Sequence, residues 1–198
     1  MTALRSLALP LALLAAAPRV SAQAAQKYSF HVSALGTSFE GSSGSAIGGV
    51  GIEPQLRFNR LYSSESFGTL TVGVGGQFTR HASGGQNISI SGAFLEPRWL
   101  PNTSSEKLFP YVAGRLAVLN QSNNFGSSSG GTAFGAGAGV AFLWSKRVNL
   151  DAGVVLVRQK FGDFQFSNGQ AGAFNAFNTY AAKIGASFGF PARARQAP

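Results

Sequence analysis

Two groups of residues in this chain have the types and spacing that chemistry requires. The first is seven charges: Glu53, Arg57, Glu96, Arg98, Arg115, Asp151 and Lys183, each set between nonpolar neighbours. Three acids and four bases are conspicuous in a chain with only 12% charged residues, about half the usual share. Their chemistry is ion pairing. A charge held away from water is costly unless it is paired and hydrogen-bonded. The second group is His31-Val32-Ser33, a base next but one to a hydroxyl nucleophile. Such a nucleophile needs an oriented base, and no partner acid falls in register with the pair. The two histidines, His31 and His81, are far apart and have no third ligand, so neither a metal site nor a cofactor site is expected. The chain has no Cys, which removes disulfide and thiolate chemistry.

The elements that must position these residues are strands. Apolar and polar residues alternate with period two in eight segments, and such alternation places them on opposite faces. The segments are Lys27–Leu35, Ile47–Asn59, Phe67–Arg80, Ile88–Leu100, Phe109–Asn120, Thr132–Trp144, Val148–Lys160 and Asn178–Phe190. In the second, Ile52, Pro54, Leu56 and Phe58 oppose Glu53, Gln55, Arg57 and Asn59. The last sets Tyr180, Ala182, Ile184 and Ala186 against Thr179, Lys183, Gly185 and Ser187. The fourth is irregular. Ile88, Ile90 and Phe94 fall in phase with Glu96, and a bulge that flips the faces is expected there. His31 and Ser33 share the polar phase with all seven charges.

Eight strands of this length match tilted membrane-spanning strands. Closing the sheet, first strand to last, removes edges that lipid would not tolerate. The expected fold is therefore all-β: an eight-stranded antiparallel up-and-down transmembrane β-barrel, with the polar phase facing the lumen. A soluble barrel would reverse the faces. Against that reading, the polar phase is rich in Gly and small residues. The apolar phase ends in Tyr28, Phe58, Trp99, Trp144, Phe188 and Phe190, like an interfacial girdle. Four connections are rich in Gly, Ser and Asn: Thr37–Ser45, His81–Asn87, Gln121–Gly131 and Phe161–Phe177. They alternate with Asn59–Ser66, Pro101–Leu108 and the tight turn Ser145–Arg147. Outer-membrane barrels carry longer loops outside and shorter turns in the periplasm, which puts both termini in the periplasm.

The N-terminus reads as a cleaved secretory leader. Arg5 precedes an apolar run from Leu7 to Ala17, and small residues end at Ala22. The run is too short to span a bilayer. The expected organisation is a leader at 1–22, a barrel at 23–190 and a short periplasmic tail at 191–198. Loss of Arg5 and Arg19 with the leader lowers the net charge from +9 to +7. The remaining basic residues are scattered, which argues against nucleic acid. Twenty-six Gly and seventeen Phe with few charges argue against disorder.

Lys183, Gly185, Phe188 and Phe190 resemble the terminal β-signal read by the barrel-assembly machinery: a polar residue, Gly two on, then two aromatics spaced by one. Here Pro191 to Pro198 follow it. The chain from about 27 to 190 resembles the OmpA/OmpX-like outer-membrane β-barrel superfamily. Gly92-Ala93-Phe94-Leu95-Glu96-Pro97-Arg98 and Pro110-Tyr111-Val112-Ala113-Gly114-Arg115 carry much of that likeness. The resemblance implies fold and location in the bacterial outer membrane but no single activity. Small outer-membrane lipid hydrolases use a His-x-Ser pair facing lipid, whereas His31 and Ser33 have lumen phase, so no enzyme is expected. Arg80, Arg158 and Lys160 near the outer rim are the candidates for contact with lipopolysaccharide phosphates. The expected role is a monomeric structural or surface-interaction barrel whose lumen is plugged by the seven charges. The alternative is a narrow pore or conduit for small solutes.

Overall fold

The computed structural model describes residues 26–40, 46–83, 85–173 and 176–190. The expected leader at 1–22 and the tail at 191–198 lie outside these residues. The strands are β1 (Tyr28–Glu40), β2 (Ala46–Ser64), β3 (Gly68–Ser83), β4 (Gln86–Leu100), β5 (Leu108–Asn123), β6 (Ser129–Ser145), β7 (Val148–Phe161), β8 (Phe164–Gln165), β9 (Ala171–Gly172) and β10 (Phe177–Phe190). Eight of them close into one barrel in the order β1-β10-β7-β6-β5-β4-β3-β2, and β8 and β9 form a separate small hairpin. Every pairing is antiparallel. The barrel closes between β1 and β10, in register from Tyr28 opposite Phe190 to Phe39 opposite Thr179. That seam leaves no free barrel edge, which a hydrocarbon environment requires.

Period two sorts the side chains as the sequence leads one to expect. Ile52, Leu56, Val154, Leu156, Tyr180 and Ile184 stand exposed on the outside, and Trp144 is 70% exposed. Glu53, Arg57, Glu96, Arg98, Asp151 and Lys183 are buried on the inside. The strands run longer than the alternation alone indicates. β2 continues to Ser64, so the connection expected over Asn59–Ser66 shrinks to a turn at 65–67. Gly68, with φ of 92°, ends that turn; this left-handed conformation suits Gly. At this end Trp99 Nε1 donates to Phe67 O at 2.7 Å, and the Phe67 ring lies 5.7 Å from Trp99.

β4 departs from expectation. Its register with β3 is unbroken from Thr69 opposite Leu100 to Ser83 opposite Gln86, so the faces do not flip. The bulges lie elsewhere, between Phe58 and Tyr62 on β2 and between Leu143 and Ser145 on β6. Ile90 and Phe94 therefore point inward with Glu96 and are buried. There they pack with Leu119, Val155, Val157 and Phe161 in an apolar cluster at the loop end of the lumen. A smaller cluster of Leu100, Phe109, Tyr111, Ala113 and Ala141 lies toward the turn end. The lumen face is thus apolar at two levels, with charge between. Tyr111 fits because Gly139 and Gly153 face it: an added Cβ would fall 2.5 Å and 2.6 Å from its hydroxyl.

An inward glycine and an outward one are accordingly not interchangeable. Gly139→Val presses a side chain against Tyr111 and is expected to destabilise the barrel by about 1–3 kcal/mol. Gly130→Val, where an added Cβ meets nothing within 4 Å, should change stability little. Urea unfolding, with heat-modifiable gel migration as the check on folding, reads both.

Candidate functional site

The seven charges come from five strands and converge on Glu96. β2 supplies Glu53 and Arg57, β4 supplies Glu96 and Arg98, β5 Arg115, β7 Asp151 and β10 Lys183. Glu96 is fully buried and touches all four cations. Its Oε1 accepts from Arg57 Nη2 at 3.0 Å and Arg98 Nε at 2.9 Å. Its Oε2 accepts from Lys183 Nζ at 2.7 Å and Arg115 Nη1 at 3.3 Å. Two bonds to each oxygen use the whole acceptor capacity of a carboxylate. Arg98 also donates to Asp151 Oδ2 at 2.6 Å, and Arg115 pairs with Glu53. The structure brings all seven residues into one connected network.

Four cations against three carboxylates leave one positive charge in excess. Neutral acceptors and ring faces meet some of the guanidinium donors that the carboxylates leave over. Arg57 Nη2 donates to Gln55 Oε1 at 2.8 Å, and its Nη1 to Thr71 Oγ1 at 3.1 Å. Arg115 Nη2 donates to Gln77 Oε1 at 2.8 Å. The guanidinium of Arg115 lies 4.0 Å over the Phe94 ring, and that of Arg98 4.1 Å over Tyr111. Both contacts are of cation–π type. Gln55, Gln77, Phe94 and Tyr111 thus belong to the site although their types did not single them out. The lumen phase of Gln55, Gln77 and Tyr111 was legible; that of Phe94 was not, because a bulge is expected there from the sequence, and the partners of all four depend on register.

His31 is fully buried beside this network. Its Nδ1 lies 2.6 Å from Ser187 Oγ and its Nε2 2.6 Å from Ser33 Oγ. Asp151 Oδ1 stands 3.6 Å from Nε2, so an acid does approach the pair, contrary to the expectation from sequence. Asp151 and Ser33 share one ring nitrogen, so they form no relay with each other. Ser187 sits on the opposite nitrogen, but Asp151 at 3.6 Å is beyond hydrogen-bond distance of the imidazole. The cavity lined by Ser29, Arg98, Asp151 and Ser187 holds only about 10 Å³, room for about one water and for no substrate. Gly185 makes the space His31 occupies, since a Cβ there would fall 2.8 Å from Nε2. Lys183 and Gly185 of the assembly pattern therefore serve the lumen, while Phe188 and Phe190 are exposed outside. His81 lies apart from His31, with Nε2 2.8 Å from Thr37 Oγ1 and its ring 4.8 Å from Phe39. Among the described residues no cluster of His, Cys, Asp or Glu is placed to hold a metal ion.

The three rim cations are all exterior and exposed but do not form one group. Arg158 and Lys160 sit two residues apart on β7. Arg80 is on β3, four strands from β7 in either direction around the barrel. The loops at this end are also ordered by backbone bonds that sequence does not disclose. Ser127 N donates to Gln165 O at 2.7 Å, and Ser167 N to Phe125 O at 3.1 Å. Phe125, Phe164 and Phe166 pack there ring against ring.

A closed antiparallel barrel with an apolar exterior and buried internal charge is a transmembrane β-barrel; its architecture is that of the small OmpA/OmpX-like outer-membrane barrels. No protein-family model and no curated protein matches the chain. Neisserial surface protein A superposes with a TM-score of 0.59 at 16% identity, over 83% of this chain and 97% of that one. Ail, the attachment invasion locus protein of Yersinia pestis, gives 0.49 at 11% identity over 83% and 99%. The N-terminal barrel domain of Pseudomonas aeruginosa OprF gives 0.45 at 15% over 82% and 98%. The first of these likenesses carries the shared fold.

The hub arrangement sorts the lumen variants. Glu96→Leu strands four cations and is expected to cost about 3–5 kcal/mol, as removal of one side of a buried ion pair does. Arg115→Met combined with Glu53→Leu removes one cation and one acid while Glu96 keeps three partners. Its expected cost is under about 1 kcal/mol. Urea unfolding of the barrel in bilayers separates the two.

Proposed function

We propose that this chain is a monomeric barrel of the bacterial outer membrane with both termini in the periplasm. Its role is structural or surface-interacting, its lumen is closed by the charge network, and it is not an enzyme. The observation that carries this reading is Glu96 with its four cationic partners. Two further features support closure. The cavities adjoining the network hold only about 10 Å³ and 20 Å³. Eight-stranded barrels are also just wide enough for side chains to fill. The orientation is supported by tight turns at 65–67 and at Lys146–Arg147 at one end, against the folded lobe around the β8–β9 hairpin at the other. In this orientation Arg80, Arg158 and Lys160 face the outer leaflet, and Arg158 and Lys160, neighbours on β7, contact lipopolysaccharide phosphates. Lys183, Gly185, Phe188 and Phe190 form the signal for the barrel-assembly machinery.

The alternative, a narrow pore, requires cations to leave Glu96 and reopen the axis. Single-channel recording in planar bilayers distinguishes the two. The expected result for the folded protein is no discrete conductance steps. Reproducible steps that change size in Lys183→Met would replace the closed barrel with a gated one.

A further inference from the structure

The exterior of the barrel is not uniformly convex. Beside the β1–β10 seam runs an apolar concavity of about 520 Å³, spanning β7, β10, β1 and β2. Its floor is backbone and small side chains, Gly36, Gly48 and Ala182, and its walls are Val154, Leu156 and Tyr180. An added Cβ at Gly36 or Gly48 meets nothing within 4 Å, so this space is open to the membrane.

The concavity has a charged head. Arg158 and Lys160 continue the exterior face of β7 beyond Val154 and Leu156, and Asn178 on β10 stands opposite Arg158. Arg158 is two residues from the wall residue Leu156, about 7 Å along a strand. Both cations are exposed, and neither forms an ion pair among the described residues. An amphiphile with an acyl chain in the groove would thus present its phosphate to a pair of cations, one of them an Arg suited to bidentate contact. Arg80, on the opposite side of the barrel, has no part in this arrangement.

We propose that the groove and the Arg158–Lys160 pair form one binding site for the acylated, phosphorylated glycolipid of the outer leaflet, lipid A. The proposal rests on the reading that the loop end faces that leaflet and that its rim cations meet lipopolysaccharide phosphate. It adds where an acyl chain lies, and Arg80 stays outside the site.

The test is native mass spectrometry of the folded chain in zwitterionic micelles, titrated with diphosphoryl lipid A and, separately, with phosphatidylglycerol. Heat-modifiable migration checks that each variant folds. Arg158→Ala with Lys160→Ala, and Gly36→Leu with Gly48→Leu, should each weaken lipid A binding by about tenfold or more. Arg80→Ala should leave it unchanged, and phosphatidylglycerol should bind more weakly than lipid A. If the double Gly variant does not fold, Ala182→Leu fills the same space. Wild-type affinity in the groove-filling variant overturns the proposal. In that event a loss in the cation variant leaves the rim-contact reading standing, and no loss removes it too. Equal binding of phosphatidylglycerol, or an equal loss in Arg80→Ala, also overturns the proposal.

Discussion

One buried carboxylate organises this barrel. Glu96 lies on β4, yet its four cationic partners come from β2, β4, β5 and β10. A charge taken out of water is tolerated only where its lone pairs are met and its charge is balanced. Meeting that condition requires β10, the last barrel strand in chain order, to deliver Lys183 to the lumen. The full set of four partners is therefore present only with β10 seated in the barrel. Removing Glu96 takes the shared acceptor from four cations, while removing a peripheral pair such as Arg115 with Glu53 leaves it three partners.

The rest of the interior follows from that centre. Charges fill the middle, and apolar clusters around Ile90 and Phe94 on one side and Tyr111 on the other flank them. These clusters lower the local polarity and strengthen the ion pairs between them. Two of their rings also lie against Arg115 and Arg98. Such cooperation between apolar and charged layers is what an interior too narrow for bulk water permits. The exterior has the opposite task. It is apolar throughout its span, and where large residues give way to Gly36, Gly48 and Ala182 it becomes concave.

Much of this was legible in the sequence because a strand's period is short and local. Alternation alone placed the eight strands and put all seven charges on one phase. What escapes the sequence depends on register between distant strands, or on a face that changes character along its length. Ile90 and Phe94 were read as a sign of a bulge because the inner face was expected to be polar along its full length. Asp151 was not matched to His31 because β7 and β1 are neighbours only through β10. The primacy of Glu96 among three acids was likewise invisible, as were the separation of Arg80 from Arg158 and the zipping of residues 125–127 to 165–167. The leader and the tail lie outside the described residues, so the sequence reading of them stands as an expectation.

The central claim is that the Glu96 carboxylate and the Lys183 ammonium hold the barrel shut as a coupled pair. A double-mutant cycle with Glu96→Gln, Lys183→Met and both together, read by urea unfolding in bilayers, measures that coupling directly. A coupling free energy of about 2–3 kcal/mol, near the top of the range for contacting groups, is the predicted result. Additive losses, with coupling under about 0.5 kcal/mol, would contradict it.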